Sequence, residues 1–190
     1  MNALSQVLIP AMWLAWIAYW AFAARSVKRT RRIEDARSRL SHRVPLIAGA
    51  VIMAIPNILG PLLESPLVAR TPAWQWLAVA LVALGLDFSV LARVWLGRNW
   101  SSMVTVKQDH ELIRGGPYAL VRHPIYTGLL LALAGSALML GNWRALIGLT
   151  LIVGALLRKL RIEERFMAAE FGEAYARYRA QVAMLVPFLV

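Results

Sequence analysis

Two short stretches of this chain hold residues whose types and spacing suit chemistry. The first covers residues 114–128 and reads Arg-Gly-Gly-Pro-Tyr-Ala-Leu-Val-Arg-His-Pro-Ile-Tyr-Thr-Gly; the second is Arg161-Ile162-Glu163-Glu164. Glycine supplies positive φ and bares backbone amides, and proline fixes the next φ, so Gly115-Gly116-Pro117-Tyr118 is a turn. Pro124 after His123 suits a helix start, where its missing N–H costs nothing. His123 then sits near the cap, with Tyr126 three residues on along the same face. A helix start with exposed amides favours an anionic group such as a carboxylate. Glu163 and Glu164 are adjacent acids in a basic segment, favoured there only if paired; Lys159 to Glu163 is an i, i+4 pair in the less favourable order. Each stretch has a plainer reading. Arg122 and His123 could touch headgroups while Tyr118 and Tyr126 join an aromatic belt. The acids could be charge balance on a solvated helix face, although the apolar neighbours Leu160, Ile162 and Phe166 would hold them near a bilayer.

The elements that must position these residues are apolar. Of 190 residues, 59% are hydrophobic. That is too much for an ordinary soluble domain and enough for several membrane spans. No cysteine is present, which excludes disulfides, thiol nucleophiles and cysteine-held metals, and no metal site is expected. Residues 3–24 read as a first span, without the basic leader and cleavage site of a signal peptide. Residues 44–63 read as a second, bent at Pro56-Asn57 and Gly60-Pro61. Residues 72–97 read as a third. Residues 126–140 and 145–157 read as a short helical hairpin joined by Gly141-Asn142-Trp143-Arg144. The last run covers only about 20 Å against a hydrocarbon core of about 30 Å, so its helix is expected to continue past Leu157. The expected fold is therefore an all-α polytopic membrane protein with about five transmembrane helices. The first part, 1–97, carries the N-terminal spans and a basic loop at 25–43. The second, 98–190, carries the connector, the hairpin and an amphipathic C-terminal helix over 158–190.

The formal net charge is +11. Its placement favours topology over nucleic acid, because the loop at 25–43 has no aromatic residues for base stacking. Basic residues crowd 25–43, the connector before His123 and the segment after Leu157, whereas the other side holds only Arg70 and Arg144. The positive-inside rule puts the crowded side in the cytosol and the amino terminus outside. Both chemical stretches then face the cytosol. Asp87 falls deep in the third span, where an acid costs about 3 kcal/mol, and calls for a partner on another helix or a water. Arg93 is expected to snorkel to the surface. Trp13, Trp16 and Trp20 share one face of the first span and read as packing or a lipid-facing belt before a wall for a lipid substrate. Nothing in the sequence surrounds His42 with a role.

Taken in order, His110-Glu-Leu-Ile-Arg-Gly-Gly-Pro-Tyr118, Arg122-His-Pro-Ile-Tyr126-Thr-Gly128, Arg161-Ile-Glu-Glu164 and Phe171-Gly-Glu-Ala-Tyr175 with Tyr178 resemble the isoprenylcysteine carboxyl methyltransferase family, which belongs to a wider group with the phospholipid N-methyltransferases. Gly97-Arg-Asn-Trp-Ser101 also resembles bacterial members, so the resemblance points to a bacterial inner membrane. It covers roughly residues 97–188 and implies S-adenosyl-L-methionine as cofactor. It places cofactor contacts on His110, Glu111, Leu112, Ile113, Tyr118, His123, Pro124, Ile125, Tyr126 and Glu163. Arg122, His123 and Glu164 are the candidate catalytic residues. The family's substrate-side arginine falls near Lys159, with Arg158 and Arg161 as alternatives, and a glutamine of eukaryotic members falls on Met103. The implied partners are the bilayer and a lipophilic or prenylated acceptor, with no nucleic acid and an open oligomeric state.

The cofactor's own charges fit these residue types. Glu163 or Glu164 could pair its ammonium, and Arg122, His123 or the turn amides its carboxylate. Tyr118 and Tyr126 could meet adenine or the sulfonium. Carboxyl O-methylation of an isoprenoid or prenyl-linked acceptor is the first expectation. A carboxylate is already ionised at neutral pH and needs alignment rather than a base. Methylation of a phospholipid amine is the second, with Glu164 or His123 as base. An NADPH-dependent membrane reductase and a noncatalytic membrane protein are the readings from other classes.

Overall fold

The computed structural model describes residues 3–25, 30–69, 71–97, 100, 105–107 and 112–188. The elements are α1 (Ala3–Ala23), β1 (Thr30–Ile33), α2 (Ala36–Ala54), a 3-10 turn (Pro61–Glu64), α3 (Pro72–Leu96), β2 (Thr105–Lys107), α4 (Pro117–Leu120), α5 (Pro124–Leu140), α6 (Trp143–Phe171) and α7 (Glu173–Gln181). The architecture is helical, as expected, apart from one two-stranded antiparallel ladder between β1 and β2. That ladder ties the basic loop to the connector, a long-range pairing that hydrophobic periodicity does not announce. By length and composition α3 is long and apolar enough to cross a membrane, while Val7–Ala23 and Pro124–Leu140 are shorter apolar helices.

Two seams of small residues hold the bundle together. In the first, α3 and α5 approach backbone to backbone: a Cβ added at Gly85 would lie 2.5 Å from the Gly128 carbonyl oxygen, and one at Gly128 would lie 2.4 Å from the Gly85 oxygen. In the second, a Cβ on Gly49 of α2 would lie 2.6 Å from the Gly148 oxygen of α6. Small residues let apolar helices gain packing and dispersion where lipid offers no hydrophobic drive between them. Helix α1 covers the α3–α5 pair. Ile9 packs with Ala78, Val82, Leu86 and Ala132, and Trp13 and Trp16 donate to Ser136 (3.0 Å) and Ser89 (2.7 Å). The tryptophan face is therefore interhelical packing.

Several local expectations are corrected. Helix α2 starts at Ala36, capped by Asp35 accepting from Ser38 N, and stops at Ala54. The second span does not bend and continue to Leu63. Ile55 turns extended ahead of Pro56, as a residue before proline prefers. The C-terminal helix is not single either: α6 runs on to Phe171, and Gly172 at φ +50 breaks it from α7. Arg93 does not snorkel. It is 4% exposed, donates to Ala23 O and Gly97 O and lies over Trp100, because two helix ends leave carbonyls there without intrahelical partners. Asp87 is exposed and makes no hydrogen bond or ion pair among the described residues. His42 is buried and bonded to Glu34 (3.0 Å) at the foot of β1.

At the opposite end of the bundle a polar staple forms around Glu64. Asn142, the N-cap of α6, donates to it (2.6 Å), Asn57 N donates to it (2.8 Å), and Arg144 pairs with it while donating to Ile52 O and Met53 O. Arg144, only 3% exposed, is thus a structural residue joining α2, the 3-10 turn and the hairpin.

The glycine seams give a direct test. Gly128→Ala forces a methyl group into the Gly85 carbonyl and is expected to cost about 1–3 kcal/mol. Gly154→Ala adds a methyl with nothing within 4 Å and is expected to leave the melting temperature equal or higher. Equal melting temperatures for wild type and Gly128→Ala would contradict the seam.

Candidate functional site

The turn at 115–118 is pinned before it reaches the site. Gly116 has φ +58, and a Cβ there would sit 2.5 Å from the Trp95 ring, so the connector lies flat on the end of α3. Tyr118, Ile125 and Ala92 then bury together with Ile113, Trp20 and Trp100 around them. Val121 leaves α4 in extended backbone and pairs in parallel with Ala183. His123 caps α5, and Pro124 and Ile125 of its first turn are buried.

The first stretch meets the paired acids of α6 here, beyond that helix's apolar run. Glu164, 7% exposed, accepts from Arg122 through Nε (2.8 Å) and Nη2 (3.2 Å), from His123 Nε2 (2.9 Å) and from the Tyr175 hydroxyl (2.7 Å). Arg179 Nε lies 3.2 Å from its second oxygen. These donors fill a carboxylate's roughly four lone-pair sites. Glu163 sits one residue back and looks the other way. Its Oε1 accepts from Tyr126 (2.6 Å), and Lys159 lies 3.8 Å from it and over the Tyr126 ring. Its Oε2 accepts no hydrogen bond among the described residues; His123 Nδ1 is 3.7 Å away. Of the two acids, only Glu163 keeps an oxygen that accepts no hydrogen bond among the described residues.

A further segment closes this end. Residues 182–185 run alongside the start of α5: Arg122 N donates to Ala183 O (2.8 Å), His123 N to Met184 O (3.1 Å) and Thr127 Oγ1 to Leu185 O (2.7 Å). Arg122 Nη1 donates to Val182 O, and Tyr178 on α7 donates to Tyr118 O. The backbone amides of Arg122 and His123 are therefore used by the chain's own tail, and the Arg122 guanidinium, a candidate for the cofactor's carboxylate, is engaged by Glu164 and Val182.

The structure brings Arg122, His123, Tyr126, Lys159, Glu163 and Glu164 together, with Tyr118 buried just behind. Arg158 is exposed and turned to Ser41, Arg161 is exposed, and Leu112 is half-buried on the connector. His110, Glu111 and Met103 lie outside the described residues. Sequence reasoning assigned no role to Tyr175, Arg179 or the carbonyls of 182–185. The spacing of Tyr175 and Tyr178 was visible, but backbone acceptors carry no residue-type signal. Among the described residues no group of three or more histidines and acids could hold a metal.

Burial raises the Glu164 carboxyl, but hydrogen bonds from His123, Arg122 and Tyr175 outweigh it and hold the group down at about 2. Burial and then the Glu164 hydrogen bond push the Tyr175 phenol far up. Burial, with Glu163 next in size, does the same at Tyr118. The folded state thus binds the Glu164 proton less tightly than the unfolded chain, whose ordinary value is 4.5. The stabilisation is complete above the unfolded value and is lost as pH falls through the folded one, a window of about pH 5 to about pH 2. Wild-type protein is expected to lose thermal stability across that window. Glu164→Gln is expected to start less stable and fall less steeply, and parallel pH curves for the two would contradict this account.

Residues 76–169 match the isoprenylcysteine carboxyl methyltransferase family. The protein-S-isoprenylcysteine O-methyltransferase of Schizosaccharomyces pombe is 30% identical over 119 residues, 61% of this chain and 50% of that protein. A probable protein-S-isoprenylcysteine O-methyltransferase of Oryza sativa subsp. indica is 31% identical over 118 residues, 60% of this chain and 62% of its own. The cobalt-zinc-cadmium resistance protein CzcN of Cupriavidus metallidurans is 31% identical over 116 residues, 60% of this chain and 52% of that protein. The chain thus spans about half to three-fifths of the curated relatives it matches. The solved eukaryotic intramembrane Ras methyltransferase, an isoprenylcysteine carboxyl methyltransferase, superposes with a TM-score of 0.55 at 23% identity over 83% of this chain and 55% of that one, which shows a shared fold. The segment that matches the isoprenylcysteine carboxyl methyltransferase family, residues 76–169, includes Arg122, His123, Tyr126, Glu163 and Glu164.

Proposed function

We propose that the protein is a membrane-embedded methyltransferase that uses S-adenosyl-L-methionine to methylate the carboxylate of an isoprenoid or prenyl-linked acceptor. The observation that carries this reading is the contrast between the two acids inside the family-matched segment. Glu163 has an oxygen free of hydrogen bonds among the described residues, 3.7 Å from His123 Nδ1, whereas Glu164 is saturated. The donor set suits the cofactor. Glu163 would take the ammonium by a charge-assisted hydrogen bond, and the tyrosine rings offer faces to a sulfonium. When bound, the cofactor supplies an activated methyl group for in-line displacement.

The chain's own part is alignment and electrostatics. A carboxylate acceptor arrives ionised and needs no proton removed, and Glu164, held at about 2 with every lone pair engaged, is a poor base at neutral pH. This favours the carboxylate over the amine acceptor. Lys159, beside Glu163 and over Tyr126, is assigned to the acceptor carboxylate, since Arg158 is turned to Ser41 and Arg161 is exposed. The topology that goes with this reading has about five membrane segments, the amino terminus outside and the site at the cytosolic face. The bilayer supplies the acceptor from the side.

Purified protein in bilayer nanodiscs, given deuterated-methyl S-adenosylmethionine, is expected to label a prenylcysteine and not phosphatidylethanolamine, with a rate nearly flat from about pH 6 to about pH 8 because the carboxylate is already ionised there. Glu163→Ala is expected to weaken binding of S-adenosylhomocysteine about tenfold or more, the loss of one charge-assisted contact. A rate that climbs steeply through neutrality, with label on the amine, would replace the acceptor class. Thermal stabilisation by NADPH and by neither methyl-donor species would sink the methyltransferase reading altogether.

A further inference from the structure

We propose that Tyr175 and Arg179, on α7, are positioning residues that hold the Glu164 carboxylate and, through it, fix the ring orientation and tautomer of His123. The inference rests on the methyltransferase reading only for its consequence in turnover; the positioning itself is a property of the geometry. Both residues lie beyond residues 76–169 of the family match, although Tyr175 ends the 171–175 run that resembles the family, and neither touches the oxygen of Glu163 that accepts no hydrogen bond among the described residues.

One oxygen carries the argument. Glu164 Oε1 accepts at once from Arg122 Nε (2.8 Å), His123 Nε2 (2.9 Å) and the Tyr175 hydroxyl (2.7 Å), while Oε2 takes Arg122 Nη2 and Arg179 Nε at 3.2 Å each. A carboxylate on a glutamate side chain rotates easily about its last bond. Arg122 sets its plane as a fork, and Tyr175 and Arg179 hold one oxygen each from the far side. The hydrogen bond made by one imidazole nitrogen decides which nitrogen carries the proton. With Glu164 accepting, Nε2 holds the hydrogen, and Nδ1 faces Glu163 Oε2 at 3.7 Å. The groups around the ring are Arg122 and Tyr126 from its own segment, Glu163 and Glu164 from α6, and, one bond removed, Tyr175 and Arg179 from α7.

The tail is held in register for this task. Tyr175 is 2% exposed and packs edge-on against Tyr178 at 6.1 Å, and Tyr178 is bonded to Tyr118 O. The hydroxyl of Tyr175 cannot leave Glu164 without moving that pair. Outer partners of this kind orient a functional imidazole without touching the reactants.

The sequence has three histidines, so nitrogen NMR of histidine-labelled protein can resolve the ring of His123, assigned by its loss in His123→Asn. Wild type is expected to show the Nε2–H tautomer. Tyr175→Phe and Arg179→Met are expected to mix the tautomers and to lower turnover of S-adenosylmethionine with a prenylcysteine about tenfold, while the thermal transition survives. Arg179→Lys is expected to restore part of both signals. Arg179 is half-exposed, so its variants fold even if Tyr175→Phe does not. An unchanged His123 signal in Arg179→Met, with unchanged kcat and KM, would overturn the proposal and leave the tail as packing alone. If the wild type transfers no methyl group, the functional reading fails while the tautomer result still decides the positioning role.

Discussion

A carboxylate taken out of water must recover its solvation from the protein, and Glu164 recovers it from four side chains on two elements other than its own. The cost of burying such a group is several kcal/mol, repaid only when the remaining lone pairs are satisfied. Here they are, and the consequence is architectural. Arg122 and His123 come from the segment before α5, Tyr175 and Arg179 from α7, and the acid itself from α6. Fixing one anion therefore fixes one end of three elements relative to one another. Breaking a single partner would strand a buried charge, which costs far more than the pair contributes as a whole.

The two glycine seams explain why this clamp is needed. Helices α3 and α5 touch backbone to backbone, as do α2 and α6, but the two pairs meet each other through larger side chains: Met53, Ile152 and Leu156 pack with Leu130, Leu133 and Tyr126. The joint between the pairs is where a site can open, and it is also where backbone packing alone specifies least. Polar bonds at both ends supply the specification. Glu64, Asn142 and Arg144 close one end, and the Glu164 cluster closes the other.

The convergence of residues 114–128 with the paired acids was legible because both carry residue types that are rare in an apolar chain and because the charge asymmetry put them on one side. Lys159 and Glu163 were legible from helical spacing. Other features left no such mark. The polar bonds of Glu164 to Tyr175 and Arg179 cross a break at Gly172 that the alternating charges of 158–190 conceal. The carbonyls of 182–185 belong to apolar residues whose side chains say nothing of their backbone. Arg144 looked like an outer-surface charge until the end of α2 offered it two carbonyls. The early start of α2 depends on Asp35 capping it inside what reads as a basic loop. In each miss a tertiary partner overrode a local signal.

Helix α6 runs unbroken for 29 residues, from Trp143 to Phe171. It carries Arg144 at one extremity and both acids about 30 Å away, at about 1.5 Å per residue. A rod pinned at its two ends behaves as a lever. Its lean sets how far Glu163 stands from Tyr126, and lean is the variable by which a helix answers the thickness of the lipid around it. The geometry of the site is thereby referenced to the polar staple at the helix's other end as well as to its own partners.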